Sequence, residues 1–266
     1  MKLDSRKAGF ATATITLVFA AVCMASEMRV FRLGYVENPE SALCVVGVEQ
    51  RLFRQAGLEV DLVRLPDPAG VLEALEKGTI EAGALPADDA LKAIARGVDV
   101  RIIAGGGTEM RNDSSVEGIG EGEPGTVVMI PGRLSTPRDK KTVTRFTAAL
   151  IRAHQHLARQ QWNLAQREAA SKPGSSRVTF NPNPDYWRLE RLWQRLGLSD
   201  PAKPGDFLAN HVYEEIYCDA LDQILVDSDL SDPVMRTLFD KAVCVLNCCP
   251  ANTGKLFTTL QGGSTQ

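Results

Sequence analysis

The sequence has little of what usually carries chemistry. Only 3 of its 266 residues are histidine, and aromatic side chains make up 6%. Stacking on sugars or bases therefore cannot be a strategy of the whole surface. It lacks an excess of either charge, with 30 Lys and Arg against 33 Asp and Glu and a net charge of -3. A basic face for nucleic acid has no support in that balance. No G-x-S-x-G elbow is present, Gly105-Gly106-Gly107 opens no dinucleotide fingerprint, and the cysteines have no Cys-x-x-Cys zinc spacing. Past the N-terminus, no stretch is long and apolar enough to span a membrane. What is present is ordinary for a globular chain: 44% hydrophobic and 24% charged residues. The length suits one large domain or two small lobes.

The N-terminus reads as a targeting segment. Lys2, Arg6 and Lys7 precede an uncharged apolar or small run from Ala8 to Val22. That run is short for a span and right for a signal-peptide core. Residues 1–25 are expected to be a signal peptide, cleaved after Ala25. A rival reading anchors the chain by a lipid on Cys23. Either way the expected location is periplasmic or otherwise extracytoplasmic. Of the six cysteines, five then remain, so at least one is unpaired or intermolecular.

From residue 28 to 107, strand and helix signals alternate at tight spacing. Met28 to Tyr35 is β-like, and Asn38-Pro39-Glu40 has the chemistry of a helix start. The helix that follows is expected to end at Gly57. Leu58 to Leu65 alternates as a strand should, and Asp67-Pro68 opens a second helix. Thr79 to Leu85 is a short strand, Asp88 to Arg96 a helix, and Val100 to Ala104 a strand of buried type. The order predicts a parallel sheet with helices on its faces. Glu109 to Gly125 is polar and aperiodic and reads as a linker or a long loop. Thr126 to Ile130 is one more strand, and Ser135-Thr136-Pro137 begins a long helix. Further helices are expected over 185–196, 206–225 and 232–245, before a flexible tail. Trp187 and Trp193 are expected in the core.

The stretches EQRLFRQAGLEVDLVRLP (49–66) and LEALEKGTIEAGALPADDALKAIARGVDVRIIAGGG (72–107) resemble the first lobe of a solute-binding protein of an ABC importer. The subfamily is the one for nitrate, sulfonates, taurine and thiamine precursors. The resemblance implies an α/β, type II periplasmic-binding-protein fold, with a parallel-sheet first lobe and the ligand held against a second lobe. It implies a small-molecule solute, an ABC permease in the inner membrane as partner, no nucleic acid, no cofactor, a monomer and no catalysis. The second lobe's βα units are missing between Gly107 and Thr126. A shortened, mainly helical second part over 126–250 is therefore expected to pack back on the first lobe, 26–107. A linker covers 108–125, and the tail is 251–266.

Ligands of such sheets sit where strand ends and helix starts converge. The expected wall residues are Tyr35, Asn38 and Ser41 after the first strand, Leu85, Pro86 and Ala87 after the third, and Gly105 and Gly106 after the fourth. Other chemistry stays open beside this. Cys218 with Cys244, Cys248 and Cys249 could form a disulfide staple or, with His211, hold a soft metal. Cys44 reads as packed core, and His154 as an interior residue of the long helix. Three other readings also stand: an enzyme of the thiamine-pyrimidine or menaquinone type on the same fold, a metal or redox protein, and a nonfunctional truncated paralogue.

Overall fold

The computed structural model describes residues 30–38, 41–108, 125–168, 180–198 and 206–226. The expected signal peptide, Cys23, Cys244, Cys248, Cys249, the 232–245 helix and the tail lie outside these residues. Five strands form the central sheet: β1 (Val30–Tyr35), β2 (Glu59–Arg64), β3 (Ala82–Pro86), β4 (Arg101–Gly105) and β6 (Gly125–Met129), in the order β2-β1-β3-β6-β4. β1 pairs in parallel with both β2 and β3. β6 enters antiparallel to its two neighbours, β3 and β4. The expected parallel sheet is thus mixed, because the strand that separates β3 from β4 comes from later in the chain and runs back.

Both faces of the sheet are covered, which makes three layers. On one face lie α1 (Ala42–Glu49), α2 (Leu52–Gln55) and the long α5 (Pro137–Glu168). There Phe31, Leu33, Leu43, Phe53 and Phe146 form a buried cluster. On the other face lie α3 (Pro68–Glu76), α4 (Ala87–Ala95) and α6 (Tyr186–Arg195). There Val71, Leu75, Leu91, Ile94 and Leu189 form the second cluster. β6 shows the alternation that serves both: Val127 and Met129 face the first cluster and Val128 the second. Phe146 stacks on Phe31 and Phe53, with ring centroids 4.8 and 5.1 Å apart, so α5 is tied into the first half of the chain.

Local chemistry explains several ends. Asp67 accepts the Gly70 N–H at 2.7 Å, and Pro68 takes the first position of α3. Thr136 accepts the Asp139 N–H at 3.1 Å, as the start of the long helix requires. At the head of β3, Glu81 is nearly buried and accepts from the Arg32 backbone N–H at 2.6 Å and its guanidinium at 3.1 Å. That pair holds β3 to β1 with charge-assisted bonds.

Four expectations change. The first helix starts at Ala42 with Ser41 at its cap, and Asn38 accepts the Ser41 N–H through Oδ1 at 3.0 Å. The same helix breaks at Gln50–Arg51, where Arg51 has φ 57°, the only positive φ at a non-glycine among the described residues. Trp187 is 60% exposed, whereas Trp193 is buried as expected. The single helix expected over 206–225 is divided into α7 (Asp206–Ala209) and α8 (Glu214–Val226). Between them Val212 bridges to Ile102: Ile102 N–H donates to His211 O at 2.7 Å, and Tyr213 N–H to Ile102 O at 2.9 Å. Satisfying the open edge of β4 outweighs continuing the helix. Where the expected first lobe meets the expected linker, Gly107–Thr108 form β5, which pairs with β7 (Phe180–Asn181).

Candidate functional site

The chain leaves β1 for α1 on one face, and leaves β3 for α4 on the other. The sheet's topology therefore switches between β1 and β3, and the C-terminal ends of strands at such a switch are where open α/β sheets hold their ligands. Tyr35 pairs with Ala84 in register, so the loops 36–41 and 86–87 begin side by side. β4 ends and β6 starts at the same edge, where Gly105 pairs with Thr126 and Pro86 with Gly125. One edge thus brings together every wall residue expected from the sequence.

Their chemistry differs from one to the next. Tyr35 and Pro86 are half-buried, and Leu85 and Ala87 are buried in the second cluster. The Ser41 hydroxyl is buried and lies 2.9 Å from both Val36 O and Asn38 O, so it serves its own loop. Asn38 caps that loop. Gly105 N–H donates to Pro182 O at 3.0 Å and Gly106 N–H to Gly125 O at 2.9 Å. Both glycine donors are used within the protein. Gly106 has φ 99°, and a Cβ there would lie 2.7 Å from Leu189 Cγ. The small residue expected to admit a ligand admits α6 instead.

Electrostatics divide this edge. The first turn of α4 carries Asp88 and Asp89. Asp88 is buried and accepts from Lys92 Nζ at 2.5 Å. Burial, then the neighbouring Asp88 charge, pushes the Asp89 carboxyl up from its ordinary range. These acids already occupy the positive end of the α4 dipole. The first turn of α1 carries no acidic side chain, in contrast to that of α4. At the rim Glu37 pairs with Arg64. Sequence reasoning missed two residues that meet this edge: Pro182, whose carbonyl accepts the Gly105 N–H, and Leu189, which packs on Gly106. Their approach to Gly105 and Gly106 bridges a long stretch of chain and leaves no local signal.

The other chemical candidates lie elsewhere. Cys218 is a buried free thiol on α8 and Cys44 a buried free thiol on α1, while Cys244, Cys248 and Cys249, the disulfide partners expected for Cys218, lie outside the described residues. Burial pushes the Cys44 thiol up to about 12 and the Cys218 thiol up to about 11. Thiols held protonated are poor metal ligands and nucleophiles. His211 lies in the turn before α8, so the helical spacing expected between His211 and Glu215 does not exist. Among the described residues no three His, Cys, Asp or Glu side chains gather in a metal-binding group. His154 is buried on α5, as expected, and His156 meets Gln160 at 2.8 Å on the same helix. Among the described residues no helix is long and apolar enough to cross a membrane.

Comparison with known proteins fits this geometry. Residues 38–112 match the family described as NMT1/THI5 like. No curated protein matches the chain. Among solved structures, the periplasmic nitrate-binding protein NrtA from Synechocystis PCC 6803 aligns with a TM-score of 0.52 at 10% identity, over 74% of this chain and 89% of that one. A putative periplasmic sulfonate-binding protein, SsuA from Methylobacillus flagellatus KT, aligns with a TM-score of 0.50 at 13% identity, over 76% and 96%. At such identities the likeness is one of fold. The resemblance carried by the segments 49–66 and 72–107 is borne out: over residues 38–112 the chain is NMT1/THI5-like in sequence, and its fold is that of the periplasmic binding proteins.

Proposed function

We propose that this chain is an extracytoplasmic solute-binding protein that captures a small anionic or zwitterionic organic solute and passes it to an ABC permease. One coincidence of place carries the reading. The stretch that matches the family, residues 38–112, is also the stretch that builds this edge, from the α1 loop through Pro86 to Gly105. In this reading the acidic group of the solute lies toward the first turn of α1, and Asp88 and Asp89 keep a second anion away from α4. A bare divalent anion suits that division less well than a sulfonate bearing an amine. The protein works as a monomer, outside the cytoplasm, released by cleavage after Ala25 or held by a lipid on Cys23. In this reading the role is binding: the edge offers mainly backbone and small side chains, and Asp88 is engaged by Lys92.

The test is a thermal-shift series on the purified protein with nitrate, methanesulfonate, taurine and a hydroxymethylpyrimidine. A solute at a hundred times its Kd adds about 2.7 kcal/mol of stability, which is roughly 5–10 °C for a chain of this size. A saturable shift with one of the anions is expected. Unchanged melting with all four ends the reading.

A further inference from the structure

The strands have a second end, and a pocket of about 240 Å³ stands there, between the end of α1, α2 and the start of β2. Its floor is apolar. Phe53 and Val60 are buried, and a Cβ on Gly47 would stand 2.5 Å from the Phe53 ring, so that ring lies against bare helix backbone. Its rim is charged. Arg54 and Glu59 neutralise each other across 2.5 Å. Glu49 and Arg51 line the same pocket, are exposed, and have no ion-pair partner among the described residues. The last turn of α1 carries no basic side chain, so the carbonyl end of its dipole adds to the Glu49 charge. Arg51 is unusual for its place. α2, α3, α4 and α6 each stop two residues before a glycine with φ of 67–87°. α1 stops the same way, but the left-handed residue is Arg51, with φ 57°. Glycine takes that backbone freely and arginine at a cost. A side chain is thus kept over the pocket where the turn itself would do better without one.

We propose that this pocket binds a small zwitterion with a short apolar body, an aliphatic α-amino acid. Its carboxylate meets the Arg51 guanidinium, its ammonium lies toward Glu49 and the end of α1, and its side chain covers Phe53 and Val60. The planar fork of arginine matches a carboxylate. A volume of roughly eight waters suits a molecule of that class and is too small for a larger cofactor. A lone anion or a lone cation would leave one of the two unpaired rim charges unmatched. The site is separate from the one proposed above, which lies at the C-terminal ends of β1 and β3, and the inference does not rest on that reading.

The test titrates the full chain with L-valine, isobutyrate and isobutylamine and follows the backbone amide resonances. L-valine is expected to shift the Gly47, Phe53 and Val60 amides saturably. Isobutyrate and isobutylamine, each with one of the two charges, are expected to bind about tenfold more weakly or worse, as the loss of one good contact does. Arg51→Gly and Glu49→Gln should each weaken valine binding by about the same factor. Arg51→Gly should at the same time raise the urea midpoint, which separates lost binding from lost folding. Glu76→Gln, an exposed carboxylate on α3 across the sheet, should change nothing. Saturable valine shifts at Tyr35 and Ala87 instead would move the amino acid to the other edge and overturn the pocket. Shifts that do not saturate, isobutyrate binding as tightly as valine, or binding that survives Arg51→Gly would overturn it as well. None of these outcomes touches the solute reading, whose probes and edge are different.

Discussion

The two halves of the chain use one sheet in opposite ways. Residues 30–105 build four strands in sequence, each joined to the next by one or two helices, and β1, β2 and β3 pair in parallel. Residues 125–226 add a single strand, β6, that inserts antiparallel between two strands already placed. The rest of that half provides cover: α5 on one face, α6 on the other, and the bridge at Val212 along the open edge of β4. The first half thus supplies the strand ends and their loops, and the second closes the sheet around them. Neither is a unit alone, since β3 and β4 meet only through β6.

The heaviest blow to that joint arrangement is Phe146→Ala. Its ring is fully buried and stacks on two first-half aromatics. A loss of about 3–5 kcal/mol in urea unfolding is expected, in one transition followed by both far-UV signal and tryptophan emission. Two separate transitions would mean that the halves fold independently.

The two described thiols compare the halves by pH. Both have folded values raised above the ordinary 9.0, to about 12 for Cys44 and about 11 for Cys218. Burial is the first cause in each, with Glu214 next for Cys218. Below pH 9 both are protonated, folded or unfolded, and add no pH dependence. Above it the unfolded chain loses its thiol protons first, so stability falls by about 1.4 kcal/mol per pH unit per thiol. The fall ends near pH 11 for Cys218 and near pH 12 for Cys44. Denaturation midpoints at pH 8, 9 and 10 should decline beyond 9. Cys44→Ala and Cys218→Ala should each remove part of the slope.

The smallest effect belongs to the elbow between α1 and α2. Arg51 is held at φ 57° where a glycine would carry no Cβ penalty. Arg51→Gly should raise stability by up to about 1 kcal/mol, read as a higher urea midpoint at unchanged m. A lower midpoint would mean that the exposed guanidinium contributes more than the turn costs.

Legibility follows the same division. Asp67-Pro68 announces α3, and Thr136-Pro137 announces α5, because capping is settled within four residues. Gly97, with φ 87° and open space around it, stops α4 for an equally local reason. Strand order alone places Tyr35, Pro86 and Gly105 at one edge. The use of Gly106 is not legible in this way: its bare Cα looks the same whether it meets a solute or Leu189. His211 and Glu215 carry helical spacing, yet the vacant edge of β4 claims residues 211–213. Trp187 belongs inside by residue type, but its place on α6, away from the face that carries Leu189, exposes it.

The sequence by itself determined the alternation of strands and helices over 30–105 and the ends of α3 and α4. Each of these depends on contacts a few residues apart, where side-chain type and spacing fix the outcome. Tertiary structure alone decided the antiparallel entry of β6, the bridge at Val212 and the contacts of Pro182 and Leu189 with Gly105 and Gly106. These depend on hydrogen-bonding edges and hollows that exist only once the first half is folded, and no local pattern can encode a partner that is not yet in place.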